Sequence, residues 1–360
     1  MEERHQVKTP TTTQPAPMTQ RVERRPARRP VLPTAAATAI GSLPHDDPKA
    51  AVGLVLEGLP DLPAAPQLPC RNPAEGMLAQ AVDGVRGVSA TPDGALEVDV
   101  ELLDPEAPVD VAFAGEPWVG LRTFLDAVAA RRGPVKLQLT GPLTLGVALT
   151  HAGADPEVAF EVAGAAVQAR ARALVALAAA RAPHAGLVVL LDEPGLTAWS
   201  SYDIPLKGDH LVDLLSGSLA SLGAGVVTGV HCCGAADWKL VDAAGPDMIS
   251  LPATPDVVDS APTLSSFLDR GGLVAWGVVP TDRPIGAAPD PLWRRLSELW
   301  ADLAAAGCDP IRLRQQALLT PACGLANHTP QQAAHILDLT LGVAERVHSQ
   351  AVAIRMSVGA

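Results

Sequence analysis

The chain has 360 residues, a net charge of −12, and 48% hydrophobic but only 3% aromatic residues. An acidic chain lacks the basic face that nucleic-acid binding needs, and its Ala, Val and Leu content can fill a large α/β core with little aromatic packing. The five cysteines, an odd number with Cys232 and Cys233 adjacent, do not form a disulfide framework; reduced thiols in a cytoplasmic protein are expected.

Residues 1–34 are rich in Thr, Gln, Pro and Arg and read as a disordered tail, with too little apolar surface to offset ordering entropy. Within it, the Arg21–Arg29 stretch reads as solvated rather than as a polyanion site. The N-terminus has no apolar signal core, and no run of 18 apolar residues is free of charges or turn formers, so no membrane span is expected. From 35 to 350 one β/α rhythm continues, as in a single domain. Apolar runs of the kind buried on both faces of a parallel sheet fall at 35–40, 63–69, 135–140, 186–191, 225–231, 247–251, 273–279 and 316–320. Helical segments are expected at 48–58, 74–85, 156–182, 207–222, 236–243, 260–270, 290–306 and 330–349. The stretch 93–133 breaks the rhythm, with a hairpin-like ALEVDVELL and an extra helix over 116–131. It reads as an insertion between the second and third strands. Eight strand–helix units predict an α/β fold, a (β/α)₈ TIM barrel. An open doubly wound sheet is the alternative, but no G-x-G-x-x-G follows the first strand.

In such a barrel, chemistry collects where strands end. The unusual residues fall there: Gly41-Ser42, Cys70-Arg71-Asn72, Thr140-Gly141-Pro142, Asp192-Glu193-Pro194, His231-Cys232-Cys233 and Cys323-Gly324. An imidazole and two thiolates from His231, Cys233 and Cys323 suit Zn²⁺, and three firm ligands leave one position open, as in catalytic sites. Cys232 is expected to point away and pack and Cys308 to be structural; Cys70 lies at a strand end from which it could approach the metal but is not read as a ligand. Asp192 is expected to hold a substrate ammonium group or orient a ligand; the plainer alternative is a cap for the following helix, with Pro194 at its first position. Gly41 and Ser42 can offer backbone N–H groups to a carboxylate. No residue is marked out as an acid or base catalyst.

At these positions the chain resembles the catalytic domain of cobalamin-independent methionine synthases, within the uroporphyrinogen-decarboxylase-like superfamily. Ala39-Ile40-Gly41-Ser42-Leu43-Pro44, Gly141-Pro142-Leu143-Thr144, Asp192-Glu193-Pro194, His231-x-Cys233 and Cys323-Gly324-Leu325 match the family's motifs in order. The resemblance implies a zinc-dependent transfer of a methyl group to a homocysteine-like thiol, giving methionine. His231, Cys233 and Cys323 would hold the zinc, Asp192 the substrate amino group, and Gly41 and Ser42 its carboxylate. The chain departs from the family at four points. Pro252 stands where a fourth ligand, Glu, is usual; Gly277-Val278-Val279-Pro280-Thr281 lacks the proton-donating His; Ala148 replaces a Trp beside the pterin; the second barrel is missing. These departures imply that zinc chemistry carries over better than folate chemistry. The methyl donor is then a folate or a methylcorrinoid, the latter carried on a partner protein. The alternatives are a corrinoid-dependent methyltransferase with another thiol acceptor and a zinc-free, decarboxylase-like or ligand-binding barrel.

Overall fold

The computed structural model describes residues 29–199 and 206–358. The expected disordered tail therefore falls, over residues 1–28, outside the described residues. Six parallel strands run in sheet order β3 (Pro134–Thr140), β4 (Gly186–Asp192), β5 (Val227–His231), β6 (Met248–Pro252), β7 (Leu273–Val279) and β8 (Ala317–Pro321), forming a curled half-barrel. The remaining strands, β1 (Val88–Ala90) and β2 (Leu96–Val98), make a separate antiparallel hairpin. Twelve helices are described: α1 (Pro48–Gly58), α2 (Met77–Val82), α3 (Val119–Ala127), α4 (Pro142–His151), α5 (Pro156–Arg181), α6 (Gly195–Trp199), α7 (Gly208–Ala220), α8 (Trp238–Ala243), α9 (Ala261–Asp269), α10 (Asp290–Ala305), α11 (Pro310–Gln315) and α12 (Pro330–Val358).

The two first expected strands, 35–40 and 63–69, are not formed as strands. They make isolated parallel bridges instead: Ala37 to Leu319 of β8, Ser42 to Gln67, and Ala64 to Lys136 of β3. For 63–69 the reason lies in Pro63, Pro66 and Pro69, which have no N–H to give a ladder. The first segment carries a left-handed residue at each end, Ala35 with φ 60° and Gly41 with φ 155°, which keeps the regular stretch short. The bridges still join β8 to one segment, that segment to the next, and the second to β3.

Local sequence explains where the helices begin. Asp47, Asp155 and Asp309 each accept a backbone N–H at the start of α1, α5 and α11, with proline in the first turn. The segment expected as an insertion, 93–133, supplies β2 and α3, and β1 lies just before it. It is tied down by Arg71, whose guanidinium bonds Glu75 at 2.7 Å and Glu116 at 2.8 Å, and by Trp118 Nε1 donating to Asp83 at 2.6 Å. Helix α5 is long and apolar enough to cross a membrane by composition, but half of that stretch is buried within the protein, packed beside α4 and α7.

The core has two parts. The larger lies between the sheet's outer face and the helices, and includes Trp276 of β7 stacked edge-on against Trp300 of α10. The smaller fills the inner face: Ala36, Leu62, Val188, Leu190, Val227, Met248, Ala275 and Leu318. Leu32 packs on this inner cluster, Pro30 abuts Gly186, and Ala35 N–H bonds Ala317 O. The entering chain thus covers the end of the sheet where the strands begin, leaving polar chemistry to the other end.

Candidate active site

Strand register fixes which side chains share the inner face at the far end. Thr140 pairs with Asp192, Asp192 with His231, and His231 with Ser250, so these four lie level on adjacent strands and face the same side. Below them the inner layer is apolar apart from Gln138 and Lys136 on β3; at their level it turns polar.

His231 is buried, and its Nδ1 lies 2.9 Å from Ser250 Oγ. That contact fixes the ring plane and leaves Nε2 for another partner. Cys323 sits in the loop after β8, facing both Cys233 and His231. Hydrogen bonding from Cys233 and then from His231 holds its thiol well below the ordinary thiol range. The same contact, together with burial, pushes Cys233 up. The structure thus brings His231, Cys233 and Cys323 together from opposite parts of the sheet. Among the described residues, however, no three His, Cys, Asp or Glu side chains are arranged around a common metal position. Cys232 is buried with its Sγ 3.2 Å from Thr197 Oγ1, and Cys308 is buried against Ala261 O, both packed as expected. Cys70 is exposed and donates to Ala326 O at 3.3 Å, three residues beyond Cys323.

Asp192 is buried, and its Oδ1 has no hydrogen-bond partner among the described residues. Burial pushes its carboxyl up; Lys136 and His231 pull the other way. An unpartnered carboxylate oxygen at such depth is costly and points to a missing cationic or N–H partner. Glu193, its neighbour, is fully used. It accepts from Leu143 N–H at 2.9 Å, Thr144 N–H at 2.7 Å and the Thr144 hydroxyl at 2.5 Å. It therefore caps α4, the helix before it in sequence, rather than the segment that follows. Burial raises its pKa to about 7, against those three bonds.

Gly41 and Ser42 form a turn whose two carbonyls are taken, by Gln67 N–H at 3.1 Å and Leu325 N–H at 2.8 Å. Neither of their N–H groups has an acceptor among the described residues. Glycine is required at 41 by its φ of 155° and by Gln138, whose Nε2 would lie 2.3 Å from a Cβ there. The turn also meets the thiol loop, since a Cβ at Gly324 would fall 2.0 Å from Ser42 Oγ.

Sequence reasoning missed three residues. Lys136 is buried on the inner face of β3 and donates to Ile40 O at 2.5 Å and Gln138 Oε1 at 3.2 Å; burial lowers its pKa to about 8, with Asp192 opposing. Gln138 donates to Ala65 O at 2.8 Å. Ser250 is the third. The signal was present for the first two: in Val-Lys-Leu-Gln-Leu-Thr the polar residues alternate, marking one polar face on a strand read as apolar on both.

A cavity of about 450 Å³ opens beside the thiols, lined by Cys233, Gly277, Thr281, Arg283, Arg295 and Cys323 among others. It lies over the ends of β5 to β8 and is large enough for a small organic molecule.

No protein-family profile matches the chain, and no curated protein matches it significantly. Among solved structures, a B12-independent methionine synthase from Shewanella sp. W3-18-1, in complex with selenomethionine, superposes with a TM-score of 0.57 at 15% identity, covering 89% of this chain and 100% of that one. A second, from Listeria monocytogenes and assigned as a vitamin-B12-independent methionine synthase, gives 0.55 at 15% identity over 84% and 86% of the two chains. At that identity the likeness establishes a shared fold.

Proposed function

We propose that this protein is a zinc-dependent methyltransferase that moves a methyl group to the sulfur of a homocysteine-like thiol, giving a methionine-like thioether. The observation that carries the reading is the meeting of His231, Cys233 and Cys323 beside Asp192, whose carboxylate oxygen lacks a partner. The donor set fits zinc in its chemistry: two thiols and an imidazole whose second nitrogen is already held by Ser250. Bound there, zinc would lower the pKa of the substrate thiol so that a thiolate exists at neutral pH. The chain's own residues do the rest. Asp192 accepts hydrogen bonds from the substrate ammonium group, and the N–H groups of Gly41 and Ser42 donate to its carboxylate. The cavity beside Cys233 and Cys323 admits the donor to the sulfur. In the reaction a sulfur–carbon bond forms, the donor–methyl bond breaks, and the donor leaves with the electron pair.

The fold reading follows the same line. The bridged segments around Ala37 and Ala64 take the places of the first two strands in a (β/α)₈ barrel, a single domain over 35–350. The five free thiols suit a reducing, cytoplasmic setting. A corrinoid-dependent methyltransferase with another acceptor shares all the residues named here. A zinc-free barrel would not need the thiol pair. Metal analysis of protein purified without chelator separates both zinc readings from the zinc-free one: about one zinc per chain is expected, lost in Cys323→Ser. Wild-type protein that holds no zinc and takes none up rules out the metal reading.

A further inference from the structure

Lys136 is 1% exposed and lies on the inward face of β3, level with Val188 and within the apolar layer that also includes Leu190 and Met248. A buried ammonium is expensive unless something needs it. It forms no ion pair among the described residues; Asp192 is the charged group that senses it. Its bonds go to Ile40 O and to Gln138. Gln138 in turn backs directly onto Gly41. The polar face of β3 therefore grips the chain immediately before, and at, the Gly41–Ser42 turn. A hydrogen bond from an ammonium to the Ile40 carbonyl also polarises the peptide that carries the Gly41 N–H, making it a stronger donor.

We propose that Lys136 is a positioning residue for the carboxylate of the amino-acid substrate: it fixes the Gly41–Ser42 turn through the Ile40 carbonyl and supplies, from behind that turn, the positive charge the carboxylate meets. The inference rests on the amino-acid-thiol reading of the site. With Asp192 receiving the ammonium group, the two buried charges would orient a zwitterion, and its thiol would be directed toward Cys233 and Cys323. A merely structural lysine would affect every ligand alike.

The test is calorimetric titration of zinc-loaded protein with L-homocysteine and with 3-aminopropane-1-thiol, which keeps amine and thiol but lacks the carboxylate. Lys136→Met removes the charge and the bond to Ile40; Lys136→Gln removes the charge but can keep the bond. In both, homocysteine affinity is expected to fall about tenfold, the scale of one charge-assisted contact. Affinity for 3-aminopropane-1-thiol should stay within about threefold. Equal weakening of both ligands, no change in either, or failure of both variants to fold overturns the role of Lys136 and leaves the wild-type reading standing. Wild-type protein that binds neither thiol overturns the amino-acid-thiol reading and this inference with it.

Discussion

Asp192 is the residue at which ligand binding and stability can be separated. Its carboxyl is raised by burial and has one oxygen unpartnered, so its charge is not stabilising the fold. Asp192→Asn should weaken homocysteine binding at least about tenfold. Unfolding stability should stay within about 1 kcal/mol or rise, because a buried charge is removed. Denaturant unfolding alongside titration checks this; a large stability loss with unchanged binding would make Asp192 a structural residue. Lys136 gives a second expectation. Its pKa in the fold, about 8, lies below its ordinary 10.5. The cost of burying its charge is therefore full below pH 8 and is relieved as pH rises toward 10.5. Wild-type protein should gain stability relative to Lys136→Met across that window, by at most about 3 kcal/mol. Parallel stability curves for the two proteins would mean that the lysine is not perturbed. His231, Cys233 and Cys323 were legible as residue types at strand ends. Ser250 was not, because a serine in Met-Ile-Ser-Leu-Pro has no signal until register sets it beside His231.

At the scale of elements, Glu193 is the joint of the site. Its three accepted bonds tie the end of β4 to the start of α4, and its own N–H bonds His231 O at 2.7 Å. Glu193→Ala strands three buried donors and should cost about 2–4 kcal/mol, seen as a shifted urea midpoint. Gly141→Ala should also destabilise, since its Cβ would come within 2.1 Å of the Glu193 carboxylate. A midpoint unchanged in both variants would show that the turn holds without this contact. Most helix positions and the six sheet strands were readable from hydrophobic period and from Asp-Pro starts. The Pro-broken segment around Ala64 was not readable as a bridge, because its apolar content matches a strand while its missing N–H groups do not. Helices α4, α6 and α11 were not among the expected segments, although Asp309-Pro310 announces the start of α11.

At the scale of the molecule, the proposed reaction makes a prediction about its methyl donor. The cavity beside the thiols has no histidine in its lining, and Thr281 and Asp282 follow the end of β7, where the family resemblance would place a proton donor for a folate. Such a group typically contributes about 10²–10⁴-fold. Turnover with methyltetrahydrofolate is therefore expected to be weak and turnover with a methylcorrinoid stronger, measured side by side with homocysteine on one zinc-loaded preparation. Robust folate turnover with none from the corrinoid would reverse this assignment. The eight-fold rhythm predicted a closed barrel; the structure forms six of its strands as one curled parallel sheet, and the first two expected strands contribute single bridges that no periodicity encodes.

The chain enters the fold at Arg29 and Pro30, against Asp247 and Gly186, where the strands begin. The thiols stand at the other end of those strands. A tether or label attached at residue 29 itself therefore sits on the side facing away from the thiols. Protein immobilised through that point would present Cys233 and Cys323 outward, to dissolved thiols and to a bulky donor alike.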